Sequence, residues 1–141
     1  MINAYYKKAI SWFERGKREE DYFIRFILFY IAFEVLLKVK ELNKYKLNNS
    51  IKKEFFNNID RKILEKLKIE LDREPLQNMR YKEKIIRLEN INDFENILRF
   101  VNVGRNNLFH GDKGLDIKRD KIIVNFSSKI LDILLEAIQK Y

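Results

Sequence analysis

Between Tyr22 and Leu37 the chain runs for 16 residues with only two charges, Arg25 and Glu34. A segment from Tyr22 to about Val39 that is apolar nearly all round predicts a central, buried helix, because a surface helix needs only a one-sided stripe. Its longest unbroken apolar run, Phe26 to Phe33, is 8 residues, far short of the ~20 that span a bilayer. Glu34 is anomalous in such a helix. A buried carboxylate must be paired, hydrogen-bonded or neutral.

The rest of the chain follows a helical rhythm. Tyr6, Ile10 and Phe13 mark one face of a first helix over Ala4 to Gly16, with Gly16 as its stop. Glu41 to Ser50 is polar and reads as a loop. Ile51, Phe55, Ile59, Ile63 and Leu67 recur at four-residue steps, which fits either one helix to Leu71 or two broken near Asn57 and Asn58. Residues 72–81, around Pro75, have no period, and Lys82 to Leu88 reads as a short helix. Asn92-Asp93-Phe94-Glu95 has the form of a helix start at about Asp93. Phe94, Ile97, Leu98, Val101 and Leu108 then continue it to a stop at Gly111. A last helix from about Arg119 carries Ile122, Phe126, Ile130, Leu134 and Ile138, with a strand over Lys121 to Phe126 as the alternative. One Pro and 4 Gly in 141 residues are too few for the many turns of an all-β fold. The expected fold is therefore all-α, a compact bundle of about five helices forming one domain over residues 1–141. Tyr22–Val39 and Asp93–His110 should pack together at its centre, burying Phe26, Ile27, Tyr30, Ile97 and Val101.

Charge narrows the function. Residues 38–88 carry 15 basic and 8 acidic groups, whereas 1–37 carry 6 and 5, and 89–141 carry 8 and 8. A basic block of this kind fits a polyanionic partner such as RNA, although a solvated lysine-rich face explains charge alone equally well. Lys52, Lys53, Arg80, Lys82 and Lys84, with Tyr81, are the candidate RNA contacts. There is no cysteine and one histidine, so a thiolate zinc site, a disulfide framework and a cysteine nucleophile are excluded, and no metal site is expected. The N-terminus lacks an apolar core followed by a small-residue cleavage site, so the expectation is a cytoplasmic protein without a secretory signal.

The single histidine, His110, lies in Val103-Gly104-Arg105-Asn106-Asn107-Leu108-Phe109-His110-Gly111. Arg105 falls on the stripe 94, 97, 101, 105, 108, so an arginine is written into an apolar face. Asn106 and His110 are four apart and share a helix face. An ordinary imidazole titrates near ~6.5 and exchanges protons at cellular pH. A guanidinium fork suits phosphate oxygens. An alternative for Arg105 is a structural ion pair with Glu34, which would also orient it.

The string Arg-Asn-Asn-Leu-Phe-His-Gly resembles the signature of HEPN domains, all-helical nucleases and nucleotide binders marked by Arg, four to six residues, then His. Trp12-Phe13-Glu14-Arg15-Gly16, Tyr30-Ile31-Ala32-Phe33 and Asn92-Asp93-Phe94-Glu95 extend the likeness in the same order, leaving the basic middle least covered. The resemblance implies a homodimer whose two motif helices build one cleft for metal-independent RNA cleavage without a cofactor. His110 would be the acid–base group, Arg105 would stabilise phosphorane charge, and Asn106 would orient His110 or the phosphate. Glu34 and Asn107 would support them. Such a protein would act as a toxin or defence effector with an antitoxin partner. The alternatives are an inactive RNA- or nucleotide-binding domain and a structural partner in a larger complex. Three positions depart from the family pattern. Gly104 replaces a bulkier residue, Glu34 stands where Asn is common, and Asp112 stands where some toxins carry an adenylylated Tyr.

Overall fold

The computed structural model describes residues 4–77, 81, 84–110 and 118–141. Among them are six helices: α1 (Ala4–Lys17), α2 (Tyr22–Val39), α3 (Asn49–Asn58), α4 (Arg61–Arg73), α5 (Phe94–His110) and α6 (Lys118–Lys140). Four of them begin at an Asp or Asn whose side chain accepts a backbone N–H of the first turn. Asp21 accepts from Phe23 at 2.8 Å, Asn48 from Ile51 at 3.0 Å, Asp60 from Lys62 at 2.9 Å and Asp93 from Asn96 at 3.2 Å. Each cap satisfies a donor that has no partner within the helix. The Asp60 cap also divides the four-residue pattern of 51–71 into α3 and α4, with Ile59 between them in extended conformation.

The architecture corrects the sequence reading in four places. The bundle has six helices among the described residues, and the segment expected as a short helix near Ile85 is instead a strand. β1 (Leu76–Gln77) and β2 (Ile85–Ile86) pair antiparallel, Leu76 opposite Ile86 and Gln77 opposite Ile85. Ile85 points out and Ile86 in, the two-residue alternation of a strand. Second, the helix at the centre is α6, which packs against α2, α3 and α5, while α2 lies mainly between α1 and α6. α5 reaches α2 through side chains, with the buried Tyr30 hydroxyl donating to Asn102 Oδ1 at 2.6 Å.

Third, α2 is not enclosed on all sides. Phe26, Phe29, Tyr30, Phe33, Leu36 and Leu37 are buried, but Ile24 and Ile27 are 44% and 37% exposed. Glu34 and Lys38 lie exposed on the same outward sector. Glu34 thus needs no buried partner, and the anomaly passes to the isoleucines beside it. Fourth, Gly16 lies inside α1 and does not end it through a left-handed residue. A Cβ there would stand 2.6 Å from two atoms of the Phe29 ring, so this glycine admits the close crossing of α1 over α2.

One contiguous core draws on all six helices and both strands. Phe55, Phe56 and Phe94 meet edge to face or tilted at 5.2–5.8 Å between centroids, which ties α3 to the start of α5. No described helix is long and apolar enough to cross a membrane.

Candidate functional site

The site grows from the last two turns of α5. Phe94, Ile97, Leu98, Val101 and Val103 are buried, Arg105 to Leu108 are half-buried, and Phe109 is 56% exposed. The helix therefore emerges from the core at Arg105. That position resolves the arginine in the apolar stripe, since the stripe leaves the core there.

Gly104 is the residue that allows the emergence. It is buried against α6, and a Cβ on it would stand 3.0 Å from Ile123 Cγ2. Asn102, one turn before Asn106, is 1% exposed and fully used. It accepts from Tyr30, and its Nδ2 donates to Leu98 O at 2.9 Å and Lys44 O at 3.1 Å. This bracket joins α2, α5 and the 41–48 loop. Burial, reinforced by the Glu34 carboxylate and opposed by Arg105, pushes the Tyr30 phenol well above its ordinary range. Tyr30 is accordingly a fixed hydrogen-bond donor and not a proton exchanger at neutral pH.

Arg105 is held on three sides without being neutralised. Its guanidinium lies 5.6 Å from the Tyr30 ring centroid and 4.9 Å from that of Phe109, distances at which a cation is attracted by the ring face. Nη1 donates to Asn106 Oδ1 at 3.3 Å, a long bond to a neutral acceptor. Nε is buried and has no hydrogen-bond partner among the described residues. Among the described residues no ion pair within 4.0 Å joins Arg105 to Glu34 or to any other carboxylate. A buried polar group without a partner costs roughly 1–3 kcal/mol, and the half-buried guanidinium keeps its charge with no carboxylate beside it among the described residues.

The other candidates separate into two groups. Asn107 Nδ2 donates to Gln77 O at 2.8 Å, which fastens β1 to the end of α5. Lys84 holds its ammonium 5.4 Å from the Tyr81 ring and directly precedes Ile85, which pairs with Gln77, the acceptor of Asn107. Lys52 instead lines a cleft of 240 Å³ with Lys46 and the start of α5 at Asn92 to Glu95, and Lys53 is exposed beside it. The 11 residues from Phe94 to Arg105 put that cleft about 16 Å along the helix from the arginine. Arg80, Lys82 and the side chain of His110 lie outside the described residues. The α5 backbone sets Asn106 and His110 one turn apart.

Sequence reasoning missed Asn102 and three lysines, Lys62, Lys66 and Lys129, that meet across α4 and α6. An Asn four residues after Leu98 in an apolar stripe was a legible sign for the first. The convergence of lysines from distant segments had no local sign. No family model, curated protein or solved structure matches this chain.

Proposed function

We propose that this chain is a metal-independent endoribonuclease of HEPN type, acting on single-stranded RNA through a cleft shared by two copies. The observation that carries the reading is Arg105, a permanent cation whose buried Nε has no partner among the described residues, five residues before the only histidine of the sequence. RNA supplies its own nucleophile. A basic His110 removes the proton from the 2′-hydroxyl, the 2′-oxygen bonds to phosphorus, and the P–O5′ bond breaks. The leaving 5′-oxygen takes a proton from the acidic imidazole, that of His110 or of its symmetry mate. Arg105 stabilises the charge on the equatorial phosphorane oxygens. Asn106, on the His110 face, orients the imidazole or the phosphate.

The outward isoleucines of α2 favour the dimer. Ile24 and Ile27, with half-buried Ile31, form an apolar stripe beside Tyr30, whose ring contacts Arg105. Such a stripe, with exposed Phe109, is what a self-complementary two-fold contact needs.

The test is incubation of the purified protein with single-stranded RNA in EDTA. The expected products carry a 2′,3′-cyclic phosphate and a 5′-hydroxyl, and DNA of the same sequence stays intact. His110→Ala should lower the rate by roughly 10²–10⁴-fold. Arg105→Lys should rescue poorly, because an ammonium lacks the planar fork. Cleavage that requires magnesium, or that survives His110→Ala, overturns the assignment. RNA binding with no product at all would favour an inactive binding domain.

A further inference from the structure

A groove of about 410 Å³ runs between α4 and α6. Lys62 and Lys66 of α4 and Lys129 of α6 line it, and all three are exposed. Lys62 and Lys66 stand about one helical turn, ~6 Å, apart on one face. Among the described residues none of the three has a carboxylate partner within 4.0 Å. The one acidic residue on the groove, Asp60, is turned to the backbone N–H of Lys62 as a helix cap. Half-buried Ile122, Asn125 and Phe126 line the same groove.

We propose that this groove is a second binding track for single-stranded RNA, separate from the Arg105–His110 cleft. Cations together with apolar and aromatic surface in one groove match a chain with phosphates on one edge and unstacked bases on the other. A duplex hides its bases and an acidic peptide has none. The groove also connects with the site through the fold. Ile122 adjoins Ile123, the residue against Gly104, and Lys129 lies seven residues further along α6, about 10 Å. RNA held on the groove would therefore be retained near the cleft while its scissile linkage finds Arg105. The choice of RNA as occupant rests on the proposed function, and the test separates the two.

Binding of a labelled single-stranded oligonucleotide is measured on full-length His110→Ala protein as a function of salt. Lys62→Glu, Lys66→Glu and Lys129→Glu are combined and compared with Lys7→Glu, Lys8→Glu and Arg18→Glu, exposed along α1 and at its C-terminal end, which change the net charge equally. Circular dichroism checks that both triples are folded. The groove triple should weaken binding roughly tenfold or more and lower the slope of log K against log salt by about 2, at ~0.7 per single-strand phosphate contact. The control triple should do neither. With His110 restored, kcat at saturating RNA should be retained while KM rises.

Equal losses in both triples would show diffuse attraction and overturn the proposal. Stronger competition by polyglutamate than by polyuridine would overturn it in favour of an acidic protein partner. Groove-dependent binding without cleavage would remove the nuclease reading and leave the track standing. Cleavage with groove-independent binding would do the reverse.

Discussion

At Arg105 stability and the proposed function pull in opposite directions. A structural arginine held in a buried ion pair costs about 3–5 kcal/mol when its partner is left alone, but this one leaves no partner behind. Among the described residues its Nε is unsatisfied and its hydrogen bond is to Asn106. Arg105→Met keeps the stem against Tyr30 and removes the unmet donor, at the loss of two ring contacts worth about 0.5–1 kcal/mol each. The variant should unfold in urea at the same or higher concentration than the parent while cleavage collapses. A loss beyond about 2 kcal/mol would make Arg105 a structural residue. Asp132 offers the same kind of contrast with pH. Burial, aided by Glu136 and opposed by Lys17 and Arg25, raises its carboxyl above the ordinary range. The folded state then holds that proton more tightly than the unfolded one, so its contribution is fully present below the unfolded value of ~3.9 and is lost as pH rises through the raised value. Asp132→Asn should therefore be more stable than the parent at pH 7, and the difference should vanish near pH 3.5. An unchanged difference across that range would assign the effect to packing.

A helix boundary was legible where a cap residue met an apolar period, as at Asp93, whereas the cap at Asp60 lies within an unbroken four-residue rhythm that left one helix or two open. Boundaries were less legible where the chain is held by tertiary contact. The pairing of Leu76 with Ile86 joins residues whose neighbours carry no alternation long enough to see. The openness of one α2 face was hidden because isoleucine reads as core whether it faces the protein or a partner. Likewise, the motif Arg105–His110 was visible in sequence, with Phe109 four residues after Arg105, whereas the second ring against the guanidinium, Tyr30 of α2, needed the fold. The end of α2 shows how local chemistry can be tested at this scale. Leu42 N donates to Leu37 O at 2.8 Å and Glu41 N to Lys38 O at 3.3 Å, the two bonds of a helix-ending turn that places its next residue in the left-handed region. Glu41 occupies that place with φ of 55°, a conformation that costs a side chain roughly 1–2 kcal/mol and glycine nothing sterically. Glu41→Gly should raise the urea midpoint by the equivalent of about 0.5–1 kcal/mol with the m-value unchanged. A lower midpoint would mean that the exposed Glu41 side chain makes a favourable contact of its own.

For the molecule as a whole, the proposed dimer draws its support from the apolar surface beside the motif. The core is satisfied without Ile24, Ile27 and Phe109, which stay 44%, 37% and 56% exposed. Exposed apolar side chains scattered singly are ordinary, but two of these, with half-buried Ile31, form a stripe on one helix that borders Tyr30 and Arg105. A second copy related by a two-fold axis would cover the stripe with itself. It would also bring two cations and two imidazoles to one phosphodiester, which a one-copy site with a single histidine does not offer. Ile27→Lys tests this without threatening the fold, since the residue contributes little to the core and sits in a regular helical turn. Sedimentation at micromolar concentration should give about twice the chain mass for the parent and the chain mass for Ile27→Lys, with thermal unfolding little changed. Cleavage by Ile27→Lys should fall in proportion to the lost dimer and recover as protein concentration rises. A parent that sediments as one chain at cleaving concentrations would confine the reaction to a single Arg105 and His110. In that case the same histidine must serve in turn as base and acid, and the isoleucine stripe is left for another partner.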